Sequence, residues 1–464
     1  MSVEPKVSIA PARRCAYEVL RGVFERGEFA DRALQARASK LDRRDRALAM
    51  RLSYGAVQRK RTLDHFVGRL AERDPARLDA PILGALRLGL YELCYLGGAP
   101  DRAVVADAVE LAKRSARAGH GLVNAVLRRA AREGPDALFA DLSDDTPEHA
   151  AVMHSHPDWL AREWWEQLGA QEARALMAAD NEPSELALRA NALVTDAPAL
   201  VAELTRQESV SSPSSQKAAA PLAAHVDPEL PEAVVLDGPF DLHRSPLWRA
   251  GACIAQSRAA MHVARALAPV AGERVLDVCA APGGKTTHLA ALMAATGEVI
   301  AIERSPVRAE ELAATAARMR AANVRVEVAD AAIPRPPGEA YDRVLVDPPC
   351  SGLGTLAARA DLRWRVNLRA VTQMAEAQLA LLSASARSLR PGGVLVYSTC
   401  TISRSENEHV MAQFLDSHAD FAAEDLAAEL PAYALAGERE SGFVLTLPHR
   451  DRTAGFFIAR LRRS

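Results

Sequence analysis

The sequence predicts an α+β protein of several domains: an all-helical segment, a small α/β subdomain, then a Rossmann-like α/β domain on a mostly parallel sheet of seven strands. Three observations predict it. Apolar residues recur at helical spacing between residues 12 and 133. After Ala271, short apolar runs alternate with alanine-rich helical stretches, the pattern of a parallel sheet covered on both faces. A chain of 464 residues also exceeds one ordinary domain. The expected divisions are 1–140, 141–265 and 266–464.

In the first segment Ala16, Val19, Leu20 and Val23 share a helical face, as do Leu83, Leu86, Leu90 and Leu93. Breaks fall at Asp74-Pro75, at Gly97-Gly98-Ala99-Pro100 and at Gly119-His120-Gly121. Cys15 and Cys94 lie among apolar positions and read as core. The net charge of −2 hides an asymmetry, because residues 1–135 carry 26 Lys and Arg against 16 Asp and Glu, leaving an acidic remainder. A basic domain on an acidic body suits a polyanion partner, and 22 of those 26 cations are arginines, whose forked donors match phosphate. The bland reading is that these arginines only solvate amphipathic helices.

The second segment holds a helical W159-L-A-R-E-W-W and a strand-like L186-A-L-R-A. The run S209-V-S-S-P-S-S-Q-K-A-A-A-P is poor in bulky residues, which predicts a flexible surface insertion near 205–225.

In the third segment the strand candidates are Arg274–Val278, Val299–Ile302, Arg325–Val328, Arg343–Val346 and Val394–Tyr397. G442-F-V-L-T-L and G455-F-F-I-A-R-L form an antiparallel terminal pair. Between the first strand and its helix stands C279-A-A-P-G-G-K, where Gly283 and Gly284 let backbone amides approach a ligand. Cys279 stands where a Walker loop needs glycine, and G-x-G-x-x-G is absent, which disfavours NTPase and dinucleotide readings. Glu303 ends the second strand, where an acid grips ribose hydroxyls in such sheets. Asp330 follows the third, placed to meet an adenine amino group, and Asp347 follows the fourth. Singly these acids read as caps or solvated loop residues; at successive strand ends they outline a nucleoside site.

The six cysteines are scattered with no C-x-x-C pair, so a zinc knuckle or disulfide scaffold is disfavoured, no metal is expected and a reducing cytoplasm is the expected home. No run reaches the roughly 18 apolar residues of a membrane span, and M1-S-V-E-P-K-V-S lacks a secretory signal's apolar segment.

Cys350, in V346-D-P-P-C-S-G, and Cys400, in Y397-S-T-C-T-I, each follow a strand candidate, and those strands are expected to be neighbours. Either cysteine alone reads as structural; the Pro-Pro and Ser-Thr contexts favour chemistry. Two thiols in one pocket suit covalent attack on a pyrimidine. Carbon 5 of cytosine is a poor nucleophile until a thiolate adds at carbon 6. The carbon-5 proton must later be lost and the thiol expelled, with one cysteine forming the adduct and the other assisting elimination. A carboxyl group near ring atom N3 would stabilise the charge gathered there.

With C279-A-A-P-G-G-K, D347-P-P-C-S-G-L-G, Y397-S-T-C-T-I and E406-N-E in this order, the chain resembles the NOL1/NOP2/Sun family of RNA cytosine-C5 methyltransferases, specifically the RsmB type. L52-S-Y-G-A-V-Q-R, L86-R-L-G-L-Y-E-L-C-Y-L and G121-L-V-N-A-V-L-R-R resemble the NusB helical RNA-binding fold. The resemblance implies S-adenosylmethionine as cofactor, held by Cys279, Ala280, Ala281, Pro282, Gly283, Gly284, Lys285, Glu303, Asp330 and Asp347. It implies Cys400 as nucleophile and Cys350 as the residue aiding release, with Asp347 facing the base and Lys285 near the reacting groups. The implied partner is small-subunit (16S) ribosomal RNA, free or in an assembling particle, met by a monomer. Departures from the family pattern stand at Ser257, Ala260, Ala357, Ala358, Arg404 and Ser405, and bear on target choice. Methylation of transfer RNA, and a non-catalytic RNA-binding or assembly factor keeping this fold, are the rival readings. A small-molecule or protein methyltransferase has no clear use for two thiols beside a basic helical domain.

Overall fold

The apolar stripes of the first segment become the helices Pro11–Arg26, Ala30–Ala38, Arg43–Gln58, Lys60–Ala71, Ala80–Tyr91, Asp101–Ser115 and His120–Glu133. They are seen in a computed structural model that describes residues 9–211, 223–238, 240–336, 338, 340–433, 435 and 442–464. The breaks act as expected: Asp74 caps a short turn by accepting the Ala76 N–H at 3.0 Å, and Gly119 takes a φ of 96° ahead of the last of these helices. Leu20, Leu52, Phe66, Leu86 and Leu127 are fully buried in one core, with Cys15 buried and Cys94 packed at its edge. Arg87 is buried there too, its fork bonded to Asp64 at 2.7 and 2.9 Å, the geometry that makes a buried guanidinium tolerable.

The chain divides into two compact units, residues 1–183 with 356–366, and residues 184–355 with 367–464. The expected limit at 140 falls inside the first unit, which continues through helices Pro147–Met153, Asp158–Leu168 and Ala170–Ala179. These are tied back by Thr62 Oγ1 to the Val152 carbonyl at 2.6 Å and Arg61 to Asp158 at 2.9 Å. The segment Leu356–Val366 also belongs here. Arg363, fully buried, donates to Ser155 O (3.0 Å), Asn181 Oδ1 (3.0 Å) and Asp180 O (2.9 Å), and Trp364 Nε1 donates to Val57 O at 2.7 Å.

The second unit opens with a small antiparallel sheet of β1 (Ala187–Ala190), β2 (Ala224–Val226), β3 (Ala233–Leu236) and β4 (Cys253–Ala255), in the order β2-β3-β1-β4. The expected insertion near 205–225 starts inside the helix Ala197–Ser211, and residues 212–222 lie outside the described residues. The expected limit at 265 falls within the helix Arg258–Leu267.

The main sheet contains β5 (Arg274–Val278), β6 (Glu298–Glu303), β7 (Val324–Val328), β8 (Tyr341–Val346), β9 (Leu389–Thr399), β10 (Phe421–Ala423), β11 (Val444–Leu445) and β12 (Phe457–Arg463). Seven of them run in the order β10-β12-β9-β8-β5-β6-β7, and β11 pairs beside β12. β5 to β9 are mutually parallel, while β12 runs antiparallel to β9, β10 and β11. Val275, Val299, Leu345, Val396 and Ile458 form the core with Val263 and Leu267. The first strand, β5, sits in the middle, and the chain winds outward from it on both sides. That reversal opens a crevice at the strand carboxyl ends, between β5 and β8. No helix among the described residues is long and apolar enough to cross a membrane.

Candidate active site

The turn after β5 is shaped by its small residues. Cys279 takes φ 63° and Gly283 φ 100°, both in the left-handed region. The φ of Gly283 favours glycine, and a Cβ there would also stand 2.8 Å from Leu312 Cδ1 on the helix Pro306–Arg318, so the small residue lets the turn lie close against that helix. At Gly284 the nearest atom to a Cβ would be Gln256 Cδ at 4.0 Å, leaving open space. Ala280 and Ala281 are buried against Ala301 and Leu312, and the Ala281 carbonyl accepts from Arg308 at 2.7 Å. Arg308 also pairs with Glu303 at 3.3 Å, joining the turn to the end of β6.

A cavity of about 360 Å³ lies at these strand ends, lined by Cys279, Glu303, Asp330, Pro349, Met374 and Leu381 among others. Of the expected cofactor-binding residues, Cys279, Glu303 and Asp330 line it. Ala280, Ala281, Pro282, Gly283 and Gly284 form the adjoining turn, and Lys285 and Asp347 lie with the thiols. Burial pushes the Cys279 thiol up to about 12, so it stays protonated at neutral pH. The helix Leu368–Ala386 supplies Met374 and Leu381, which were not anticipated, since nothing in an amphipathic helix marks the face that lids a cavity.

Cys350 leaves the loop after β8 and Cys400 directly follows β9, and these parallel neighbours pair Val346 with Tyr397. The two sulfurs stand 3.2 Å apart. The Cys350 thiol is pushed well above its ordinary range, first by its bond to Cys400, then by burial and by the charges of Cys400, Glu406 and Asp347. Lys285 Nζ bonds Asp347 Oδ2 at 2.7 Å, and Ser398 Oγ donates to Asp347 Oδ1 at 2.9 Å. Burial opposes the charge on Lys285, but Asp347, with help from Cys400, outweighs it and raises the lysine's pKa. The ammonium also lies 4.9 Å from the centroid of the Phe456 ring, a cation–π contact. The four residues singled out for chemistry, Cys400, Cys350, Asp347 and Lys285, are thus brought together. Ser398 and Phe456 join them unannounced, although Ser398 lies in the Y397-S-T-C-T-I run.

Gly354 closes the arrangement. Its N–H donates to Cys400 O at 3.0 Å and its carbonyl accepts from Gly455 N at 2.7 Å. A Cβ here would lie 2.1 Å from the Gly455 carbonyl oxygen, a backbone atom with nowhere to go. Gly354→Ala is expected to cost about 1–3 kcal/mol of stability, read by urea unfolding.

A crevice at the carboxyl ends of a Rossmann-like sheet, with a cavity of about 360 Å³ beside a thiol pair, is an arrangement that suits a methyltransferase. The family model described as 16S rRNA methyltransferase RsmB/F matches residues 264–462. The NusB family model matches 10–132, and the ferredoxin-like domain of RsmF/B-like methyltransferases matches 156–243. A relative from Synechocystis sp., named "Probable ribosomal RNA small subunit methyltransferase B", is 34% identical over 98% of this chain and 99% of its own length. The Thermus thermophilus protein named "Ribosomal RNA small subunit methyltransferase B" is 34% identical over 93% of this chain and 92% of its own. A crystal structure of a methyltransferase homolog from Pyrococcus horikoshii is 25% identical, with a TM-score of 0.58, covering 69% of this chain and all of that one. The chain belongs to the RsmB/F family of RNA methyltransferases.

Proposed function

We propose that the protein transfers a methyl group from S-adenosylmethionine to carbon 5 of one cytosine in 16S ribosomal RNA, through a temporary bond from Cys400 to carbon 6. The observation that carries this reading is the 3.2 Å thiol pair beside a cavity lined by Glu303 and Asp330. The cavity fits the cofactor's chemistry: carboxylates for ribose hydroxyls and an exocyclic amine, apolar Met374 and Leu381 for a purine face, and open space at Gly284. Bound there, S-adenosylmethionine supplies an electrophilic methyl group.

The chain's own residues divide the remaining work. Cys400 ionises in preference to Cys350, whose proton its partner holds. The Cys400 sulfur bonds carbon 6 of a cytosine turned out of its stack. The Lys285 ammonium, tied to Asp347, offsets the charge that gathers toward N3. Carbon 5 would then use the electron pair of the C6 adduct to take the methyl group, as that group's bond to the donor's sulfur breaks. With Cys400 spent in a C–S bond, the first cause of Cys350's high pKa is gone. Cys350 first releases its own proton to water; as a thiolate it takes the carbon-5 proton, the C6–S bond breaks and its electron pair returns to Cys400.

Residues 1–140 are assigned to RNA phosphates, and the protein to the cytoplasm as a monomer. Arg128 is exposed, whereas Arg129 bonds Glu133 at 2.8 Å and pairs with Glu72 at 3.3 Å. Arg128→Ala is therefore expected to lower the slope of log binding constant against log salt by about one. Arg129→Ala should change it less, and an unchanged slope for Arg128→Ala would remove that residue from the interface. The function itself is tested by bisulfite mapping of ribosomal and transfer RNA from cells lacking the protein. Loss of one 5-methylcytosine in 16S RNA is expected; loss confined to a transfer RNA would overturn the substrate.

A further inference from the structure

Glu406 lies wholly buried behind the two cysteine turns; its charge helps to raise the Cys350 thiol, but its hydrogen bonds have no part in the chemistry above. Its Oε1 accepts from the Ser351 N–H at 2.8 Å and from Gln378 Nε2 at 2.9 Å, and its Oε2 accepts the Ser351 hydroxyl. Ser351 directly follows Cys350. Gln378 Nε2 also donates to the Pro349 carbonyl at 2.9 Å, so the residues on both sides of Cys350 hang from this one carboxylate. Tyr397, inside β9, donates its hydroxyl to the Glu406 carbonyl at 2.6 Å and fixes the backbone below.

Counting donors shows how tightly the proton positions are set. A serine hydroxyl has one proton, and that of Ser351 goes to Glu406. Thr401 must then donate to Ser351 Oγ across their 2.7 Å contact, and Thr401 Oγ1 in turn accepts the Ser403 N–H at 3.3 Å. Thr401 directly follows Cys400. Cys400's turn has further anchors of its own, with Thr399 Oγ1 donating to Asn407 Oδ1 at 2.6 Å, Asn407 Nδ2 to Thr401 O at 3.0 Å and Gly354 N to Cys400 O at 3.0 Å. Cys350's turn depends on Glu406 directly, and Cys400's only through the hydroxyl relay.

We propose that Glu406 is a positioning residue that holds Cys350 against Cys400, so that it governs release of the methylated RNA rather than attack on it. The proposal rests on the covalent-adduct reading above. Glu406→Gln keeps an acceptor for the Ser351 and Gln378 N–H groups but turns the Oε2 acceptor into a donor, so the Ser351 hydroxyl must turn away from residue 406 and the relay to Thr401 reverses. Ser351→Ala removes the relay without altering a buried charge.

The test uses the full-length protein, an unmodified 16S RNA transcript and S-adenosylmethionine, with the covalent species followed on denaturing gels. In Glu406→Gln the adduct is expected to form within about threefold of the unaltered rate and to decay at least tenfold more slowly. Ser351→Ala should show the same split to a smaller degree, and carries the test should Glu406→Gln not fold. A merely structural role would depress formation and decay together; that result, or unaltered decay in a folded variant, overturns the proposal. Cys350→Ala serves as control. Failure of that variant to trap RNA would instead sink the adduct reading beneath.

Discussion

Cys400→Ser is expected to abolish methyl transfer to RNA, with a loss on the order of 10⁶-fold as for other removed nucleophiles, while binding of S-adenosylhomocysteine survives. The substitution changes one atom. A free thiol ionises near pH 8.5 (~), so a useful fraction is anionic at neutral pH, and Lys285 stands close enough for its charge and that of Cys400 to support each other. A serine hydroxyl holds its proton far more strongly, and the thiol 3.2 Å away is a poor base for it. The cavity lining does not include Cys400, which is why cofactor affinity should hold. Single-turnover transfer of labelled methyl, with calorimetric titration of S-adenosylhomocysteine, separates the two effects. Residual transfer near the unaltered rate would remove Cys400 from its proposed role.

Cys350→Ala is expected to leave attack intact and to stall release, so that RNA stays joined to protein on a denaturing gel. The reason lies in the sequence of protonation states. Before attack, Cys350 shares its proton with Cys400 and burial keeps it there. After attack it is the group proposed to remove the carbon-5 proton. Alanine leaves the methylated base bonded at carbon 6 with nothing to start the elimination. The trapped species should approach one RNA per protein and disappear when Cys400→Ser is combined with it. Trapping by Cys400→Ser alone would reverse the two assignments.

Much of this was legible in the residues because the central strands of a covered parallel sheet are apolar almost throughout. Val275, Leu276 and Val278 mark β5 almost to its observed limits, and Glu303, Asp330 and Asp347 announce the carboxyl ends of β6, β7 and β8. Other boundaries were hidden for physical reasons. β9 begins at Leu389, five residues before its apolar run: Leu389 pairs with Tyr341, whereas Arg390-Pro391-Gly392-Gly393 is an irregularity in the ladder without the apolar pattern that marks a strand. The three residues of β10 are too few to show a period. Glu406 and Gln378 are invisible as partners for a similar reason. Their hydrogen bonds span 55 and 29 residues, and no local pattern records which distant amide a carboxylate will accept. The membership of Leu356–Val366 in the first unit was equally silent.

That last feature bears on anyone who would dissect the molecule. A cut at residue 183 leaves the downstream fragment carrying Arg363 and Trp364 stripped of every acceptor that now receives them, and leaves the upstream fragment with a hole shaped for an indole and a guanidinium. Neither half is a finished object. Supplying the eleven-residue piece to the upstream half, as a synthetic peptide or a grafted tail, is the way to obtain it whole.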